Sequence, residues 1–246
     1  MRHLISNIIS CFIWRKPLRD KVRTMIRYPQ VWEYIEYVRW FARNMKQRKI
    51  KTTVGYGCKN FVVILNDKHV FKFPLMNDGR DTAYREKRIV DTFRKISPIK
   101  IPAMTVIPYK DIVIRKYEFA YGKLLSDFDP RVIAAHRVHI ANQIAKMLYV
   151  VGKSDPTEIR DLKPNPKEKP GYLYGWFQGD IWQNFMLDEK TFDITFFIDW
   201  EDTQFQSFMS ALYVASHNWD KFGYKYVIVD IMAEYTRLYF GGCGKK

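Results

Sequence analysis

Hydrophobic positions at the front of the chain recur with the period of a helix. Apolar residues return every three to four positions over residues 4–13 and again over residues 31–45, which predicts two amphipathic helices. Basic residues follow the first of these runs directly. The apolar members of that run are Leu4, Ile5, Ile8, Ile9, Phe12 and Ile13, and the basic residues are Arg15, Lys16, Arg19, Lys21 and Arg23. We interpret the segment as a basic amphipathic helix that either packs on the body of the protein or lies on an anionic membrane face.

The period changes to that of strands near Lys51. Branched and aromatic residues dominate three short segments separated by a glycine turn and by Asn66 and Asp67, so the pattern predicts a three-stranded meander. A helix and two further strands are predicted to follow. The predicted strands cover residues 52–54, 61–65, 69–73, 104–107 and 111–117, and the helix covers residues 81–95.

From Pro130 onward the pattern is mainly helical. The longest amphipathic run covers residues 132–151, and a loop rich in proline and lysine covers residues 154–170. Two short strands are predicted over residues 184–187 and 194–198, with helical segments after them. We therefore predict an α+β fold with two lobes and a cleft between them. The predicted divisions are a basic amphipathic helical extension over residues 1–50, a β-rich N-lobe over residues 51–121 and a helical C-lobe over residues 122–246.

The composition is that of a globular protein with a strong positive charge. Hydrophobic residues make up 47% of the 246 residues and charged residues 27%, which excludes a disordered chain. The net charge is +15, and residues 1–51 hold thirteen Lys and Arg against three Asp and Glu. This concentration favours an anionic partner such as a lipid surface, a phosphorylated glycan or nucleic acid. Because Trp and Phe mostly occupy core-periodic positions, we expect no nucleic acid among the partners.

Several features favour a cytoplasmic protein. Ser6, Asn7 and Ser10 interrupt the first apolar run, which therefore does not resemble a secretory signal, and no run has the length of a membrane-spanning helix. The three cysteines show neither metal-ligand nor disulfide-framework spacing, as is typical of a reducing compartment. We expect the protein in the cytoplasm, either free or attached to the inner face of the membrane through its N-terminal helix.

A glycine turn and a strand lysine are candidates for binding phosphate. Gly55 and Gly57 lie between two predicted strands, where positions without side chains let backbone amides approach phosphate oxygens; a purely structural hairpin is the alternative. Lys72 lies among apolar neighbours in a later strand, and such a lysine is costly unless it meets an anion. Glu86 in the following helix is a candidate ion-pair partner, although its charged neighbours also fit a solvated helix face.

Two carboxylates and an amide lie near the last two predicted strands. Phosphoryl transfer needs a carboxylate that orients the attacking hydroxyl and accepts its proton, plus an amide and a second carboxylate that hold Mg²⁺. Asp180, Asn184 and Asp199 supply these groups. Asp180 and Asp199 are nineteen residues apart, a spacing that allows a hairpin to bring them to one cleft.

Residues 176–187 and 196–201 resemble the catalytic and metal-binding motifs of the aminoglycoside-phosphotransferase and choline-kinase-like branch of the protein-kinase-like superfamily. The family pattern is His-Gly-Asp, then Asn, then Ile-Asp followed by an aromatic residue and Glu. The resemblance covers roughly residues 52–201 and implies ATP and Mg²⁺ as cofactors. For catalysis, it implies Asp180 as the base and Asn184 and Asp199 as Mg²⁺ ligands. For the nucleotide phosphates, it implies Lys72 as the contacting residue, with Glu86 as its partner, and Gly55 and Gly57 as the phosphate loop. It also implies that Glu118 is part of the adenine-binding hinge.

The sequence departs from the family pattern at two points. Gln178 stands where the family has histidine, and Asn184 follows Asp180 by four residues where five is usual, which leaves Gln183 as a fallback ligand. These departures keep a second hypothesis open, namely a pseudokinase that binds nucleotide and acts as a scaffold.

A second segment also has a sequence similar to that of a kinase catalytic loop. Residues 160–165 are close in sequence to the catalytic loop of eukaryotic protein kinases, which makes Asp161 an alternative base. We interpret this segment as a decoy because it lies thirty-eight residues before Asp199, among several prolines and with no strand directly after it. A protein Ser/Thr kinase is likewise disfavoured, since no activation segment with an Ala-Pro-Glu anchor follows Glu201.

The sequence therefore predicts an ATP- and Mg²⁺-dependent phosphotransferase that acts on a hydroxyl of a sugar, a glycolipid core or another small molecule. The small size, the cationic surface and the basic front resemble bacterial kinases of lipopolysaccharide-core or other surface-glycan sugars. An enzyme for polycationic antibiotics should carry carboxylates around its acceptor site, whereas this chain is rich in cations, so we expect aminoglycosides to be poor acceptors.

Overall fold

The structure is a computed structural model that describes residues 5–6, 16–56, 59–75, 80–164, 171–179, 181, 184–221 and 223–241. The chain forms two compact units. The N-terminal unit contains Met1–Tyr84 and Met104–Phe119, and the C-terminal unit contains Arg85–Ala103 and Ala120–Lys246.

The N-terminal unit is built on a five-stranded antiparallel sheet with strand order β1-β2-β3-β5-β4. The strands are β1 (Thr52–Tyr56), β2 (Asn60–Leu65), β3 (His69–Pro74), β4 (Met104–Tyr109) and β5 (Ile112–Glu118). Asn66 and Asp67 both have positive φ, as the tight turn of a hairpin between β2 and β3 requires. The predicted meander and the two later strands are thus confirmed: β1 to β4 are longer than predicted by one or two residues, and β5 is shifted by one residue.

Two helices precede this sheet, α1 (Lys16–Arg27) and α2 (Val31–Asn44). The apolar stripe of α2 packs against the sheet: Val31, Val38 and Ala42 are fully buried, and the ring of Tyr34 stacks on that of Phe73 with centroids 4.4 Å apart. The core that they enter also contains Phe61, Val63, Leu65, Phe71 and Ile114. Helix α2 is therefore an integral part of this unit. The apolar run over residues 4–13 lies outside the described residues, apart from Ile5 and Ser6.

The C-terminal unit is mainly helical. Its helices are α3 (Arg80–Phe93, which enters this unit at Arg85), α4 (Pro130–Ala135), α5 (Arg137–Gly152), α6 (Phe208–Lys221) and α7 (Lys225–Gly241). The run predicted as one helix is divided into α4 and α5 at His136, whose ring stacks on that of Phe192 at 3.8 Å. Asp129 caps α4 by accepting a hydrogen bond from the backbone N–H of Arg131.

Two small antiparallel sheets complete the C-terminal unit. One joins β6 (Lys123–Leu124), β8 (Phe185–Leu187) and β9 (Ile194–Phe197), and the other pairs β7 (Tyr174–Gln178) with β10 (Thr203–Ser207). The second sheet corrects the sequence analysis, which expected helical structure soon after Glu201. Short 3₁₀ turns occur at Leu125–Asp127 and at Thr157–Leu162, the latter inside the predicted proline- and lysine-rich loop. No helix in the described residues is long and apolar enough to cross a membrane.

Candidate active site

The β8–β9 hairpin brings Asn184 close to Asp199. The backbone N–H of Ile198 donates to the carbonyl oxygen of Asn184 at 2.9 Å, and Asp199 is the next residue. The pair Phe185 and Phe197 continues the ladder, with stacked rings 4.4 Å apart. Asn184 is 7% exposed. The two residues predicted to hold Mg²⁺ therefore lie at the same end of one hairpin.

The backbone of Asp199 is strained and is held by a neighbouring strand. Its φ is +59°, in the left-handed region that costs a non-glycine residue about 1–3 kcal/mol and persists only where the surroundings enforce it. The buried side chain of Gln178, at the end of β7, donates from Nε2 to the carbonyl oxygen of Asp199 at 2.7 Å. The residue that replaces the family's histidine thus has a defined task, which is to fix the backbone of Asp199.

Gly179 connects β7 to the same loop. Its N–H donates to the carbonyl oxygen of Asp202 at 3.1 Å, and a Cβ at this position would lie 3.0 Å from that oxygen. This close approach favours glycine immediately before Asp180. Asp180, like Gln183 and Gly57, lies outside the described residues, so its role as the base stays a prediction.

An aromatic contact joins the Asp199 loop to helix α3. The buried indole of Trp200 donates from Nε1 to the carbonyl oxygen of Phe197 at 3.0 Å, and its ring lies 5.5 Å from that of Phe93. Helix α3 also carries Glu86, whose side chain is fully buried. The alternative of a solvated helix face for Glu86 is therefore wrong, because the carboxylate lies in the interior.

The predicted phosphate-contacting lysine lies in the N-terminal unit. Lys72 is half-buried in β3, opposite Val62 of β2 and Arg115 of β5. Its neighbours Phe71 and Phe73 enter the core, so Lys72 projects from the other face of the sheet, as does Arg115, which is 2% exposed. A guanidinium is thus buried beside Lys72 on this face of the sheet.

Two further predicted residues lie at the ends of strands in this unit. Gly55 in β1 pairs with Val62, and a Cβ there would make ordinary contact at 3.6 Å, so packing alone does not require glycine. Glu118 ends β5 opposite His69, two residues before the chain enters the C-terminal unit at Ala120. The positions of Gly55 and Glu118 agree with a phosphate turn and a hinge, and their binding roles stay predictions.

Tyr121 and Gly122, shortly after the predicted hinge residue Glu118, make close contacts within the C-terminal unit. Gly122 has φ +123°, and a Cβ there would lie 2.7 Å from the carbonyl oxygen of Leu187 in β8. The hydroxyl of Thr195 donates to the carbonyl oxygen of Tyr121 at 2.6 Å. Any side chain larger than hydrogen at residue 122 would collide with the Leu187 carbonyl, which explains why this position is glycine.

The alternative base Asp161 is occupied by an ion pair. Its carboxylate accepts hydrogen bonds from both terminal nitrogens of Arg88 on α3, one of them at 2.8 Å, and Arg88 also donates to the carbonyl oxygen of Glu158. The hydrogen bonds from Arg88 lower the pKa of Asp161 below its usual value. Asp161 therefore lies in an exposed ion pair with helix α3, which agrees with a structural role for this segment.

The described residues fit Mg²⁺ bound together with phosphates better than a preformed protein metal cage. No group of three or more His, Cys, Asp or Glu side chains that could hold a metal occurs in the described part of the chain. Asn184 and Asp199 instead offer one amide and one carboxylate, which are hard oxygen ligands. Mg²⁺ is commonly held by one or two carboxylates, water and substrate phosphates, so this donor set suits it.

No family model matches the sequence, and no curated protein matches it. Among solved structures, the GDP complex of aminoglycoside 2'-phosphotransferase-IIIa superposes with a TM-score of 0.67 at 16% identity, over 82% of each chain. A streptomycin–ATP ternary complex of APH(2")-IIa gives 0.60 at 13% identity, over 82% of this chain and 83% of that one. The apoenzyme of a macrolide 2'-phosphotransferase from Brachybacterium faecium gives 0.53 at 13% identity, over 85% and 94%. The α+β fold predicted from the sequence is thus confirmed, and it is the protein-kinase-like fold of the aminoglycoside and macrolide phosphotransferases.

Proposed function

We propose that this protein is an ATP- and Mg²⁺-dependent phosphotransferase that acts on a hydroxyl group of a small molecule. The observation that carries the proposal is the placement of Asn184 beside Asp199, in a loop whose strained backbone is bound by Gln178. The fold supports it, because structures with the same fold include complexes with GDP and with ATP. An amide and a carboxylate fixed at one hairpin end suit a nucleotide-bound metal.

The proposed roles follow from the chemistry of each group. Asn184 and Asp199 would hold Mg²⁺, and bound Mg²⁺ would supply the neutralisation of charge on the phosphates. Lys72 contacts the nucleotide phosphates, and Glu86 is its proposed ion-pair partner. Asp180 orients the acceptor hydroxyl and takes its proton as the new O–P bond forms and the bond to the leaving ADP oxygen breaks. Two further groups bind the nucleotide through backbone atoms: the turn with Gly55 and Gly57, and the hinge with Glu118.

We propose a neutral or anionic acceptor, such as a sugar or a phosphorylated glycolipid core. Two of the structural neighbours are complexes with kanamycin and with gentamicin. This chain carries a net charge of +15, which opposes the approach of a polycation and favours an anion. The likeness to lipopolysaccharide-core kinases rests on this charge and on the N-terminal sequence.

We further propose that the front of the chain binds an anionic membrane surface. Residues 1–51 hold the main concentration of positive charge. On α2, Trp32 and Trp40 are 57% and 56% exposed, and Arg39 and Arg43 lie on the same helix. Exposed indoles are typical of surfaces that lie at the headgroup level of a bilayer, and Trp40 directly follows Arg39 in the sequence.

Calorimetric binding of ATP with and without Mg²⁺ tests the central proposal. The wild-type protein should bind ATP more tightly with Mg²⁺. Asp199→Asn should weaken the Mg²⁺-dependent binding by at least the roughly 10-fold that loss of a supporting metal partner causes, because it removes a ligand charge. Asp161→Asn is the matched control and should bind as the wild type does. Binding that is independent of Mg²⁺, or unchanged by Asp199→Asn, would contradict the proposed metal site.

A further inference from the structure

Helix α3 reaches the Asp199 loop through the side chain of Arg85. One terminal nitrogen of the guanidinium donates to the carbonyl oxygen of Glu201 at 3.0 Å, and the other donates to the carbonyl oxygen of Thr203. Sequence reasoning treated Arg85 only as a charged neighbour of Glu86. Backbone carbonyls carry no sequence signature, so these contacts could be found only from the structure.

Arg85 completes the hydrogen bonding of every carbonyl in the loop from residue 199 to residue 203. The carbonyls of Asp199 and Asp202 accept from Gln178 and Gly179, both at the end of β7. The carbonyl of Trp200 accepts from the N–H of Thr203 within the loop. The remaining two accept from Arg85. Residues at the end of strand β7 and Arg85 of helix α3 thus bind different carbonyl oxygens of the same short segment.

We propose that Arg85 is a positioning residue that fixes the Asp199 loop against helix α3 and so aims the Asp199 carboxylate at the metal. The inference rests on the proposed function for its metal-binding consequence. Asp199 has a left-handed backbone that persists only where the surroundings enforce it, and Arg85 binds the segment directly after it at the carbonyls of Glu201 and Thr203. Glu86 is the next residue on α3. The same helix turn therefore carries both a buried carboxylate and the arginine that binds the Asp199 loop.

The geometry calls for arginine in particular. A guanidinium presents two parallel N–H groups in a rigid fork and reaches two acceptors at once, whereas a lysine ammonium acts as a point donor. Burial lowers the pKa of Arg85, and the nearby charges of Asp202 and Glu86 oppose that shift. An arginine side chain stays protonated near neutral pH because its intrinsic pKa is so high.

Arg88 offers a matched control on the same helix. It lies three residues further along α3 and is also engaged in bonds to another segment, namely to Asp161 and to the carbonyl of Glu158. Its partners are outside the Asp199 loop. Replacement of Arg88 therefore removes another guanidinium that joins α3 to a different segment, and it leaves the bonds to the Asp199 loop in place.

The test compares Arg85→Met, Arg85→Lys and Arg88→Met by two measurements. The first is a Mg²⁺ titration of ATP binding by calorimetry, alongside binding of ATP without Mg²⁺. Arg85→Met should raise the half-saturating Mg²⁺ concentration by roughly 10-fold, the usual effect of losing a residue that supports a metal ligand, and leave Mg²⁺-free binding unchanged. Arg85→Lys should lie between Arg85→Met and the wild type, and Arg88→Met should match the wild type.

The second measurement is amide hydrogen exchange of the nucleotide-free protein, which does not depend on the proposed activity. The amides of Gly179 and Thr203, both bonded within the clamped segment, should exchange faster in Arg85→Met than in Arg88→Met. If Arg85→Met does not fold, the same comparison with Arg85→Lys decides. The proposed role of Arg85 would be overturned if both amides exchanged in Arg85→Met at the wild-type rate. It would also be overturned if the Arg85 and Arg88 replacements changed the exchange rates equally. If the wild-type protein itself bound ATP no more tightly with Mg²⁺ than without it, the proposed function would be refuted instead.

Discussion

At the scale of single residues, the structure explains a departure that the sequence left open. Gln178 replaces the histidine of the family pattern, and the structure shows its amide bonded to the carbonyl of Asp199. The closeness of Asn184 and Asp199 could be predicted from their residue types and from the strands beside them, although Asn184 departs by one residue from the family spacing. The tasks of Gln178 and Arg85 could not, since their acceptors are backbone carbonyls that any residue offers.

The first prediction at this scale concerns Asp180. Asp180→Asn should leave folding and Mg²⁺–ATP binding nearly unchanged and lower kcat by about 100-fold or more, because it removes the proton acceptor without removing a metal ligand. Rapid-quench or steady-state transfer assays measure kcat, and thermal unfolding checks the fold. Asp161→Asn is the control, whose kcat should equal that of the wild type. Activity lost in Asp161→Asn and kept in Asp180→Asn would show that the base was wrongly assigned.

At the scale of elements, periodic segments could be predicted and buried, irregular ones could not. The strands of the meander and helix α2 follow simple periods, and their predicted positions are confirmed. Strand β7 is buried at four of its five positions and shows no alternation, so no pattern distinguishes it from other apolar segments. The break between α4 and α5 at His136 has no glycine or proline to reveal it.

The element-scale prediction concerns the N-terminal helices. The wild-type protein should sediment with anionic vesicles at low salt and be released as salt rises, because each basic group near the surface contributes about 1 kcal/mol that salt screens. Trp32→Ala with Trp40→Ala should weaken this binding, since both indoles are exposed. Tyr213→Ala is a matched control on α6, where another aromatic residue is 76% exposed. Equal sedimentation of the tryptophan variant and the wild type would contradict the proposed membrane surface.

At the scale of the whole molecule, the order of elements predicted a two-lobed α+β fold, and the motif resemblance implied the protein-kinase-like superfamily. A β-rich front followed by helices is typical of few architectures, and structures at 11–16% identity share this one. Specificity is set by details that vary freely on a common fold, so the acceptor does not follow from the fold. The net charge of +15 is the property of the whole chain that bears on it.

The central claim is tested most directly by transfer of γ-labelled phosphate from ATP to hydroxyl acceptors. The wild-type protein with Mg²⁺ should label neutral or anionic sugars and glycolipid cores. For anionic acceptors kcat/KM should fall as ionic strength rises, and aminoglycosides should be labelled poorly. Efficient labelling of aminoglycosides would overturn the proposed acceptor class. Tight Mg²⁺–ATP binding with no transfer to any hydroxyl would contradict the phosphotransferase itself and favour a nucleotide-binding scaffold.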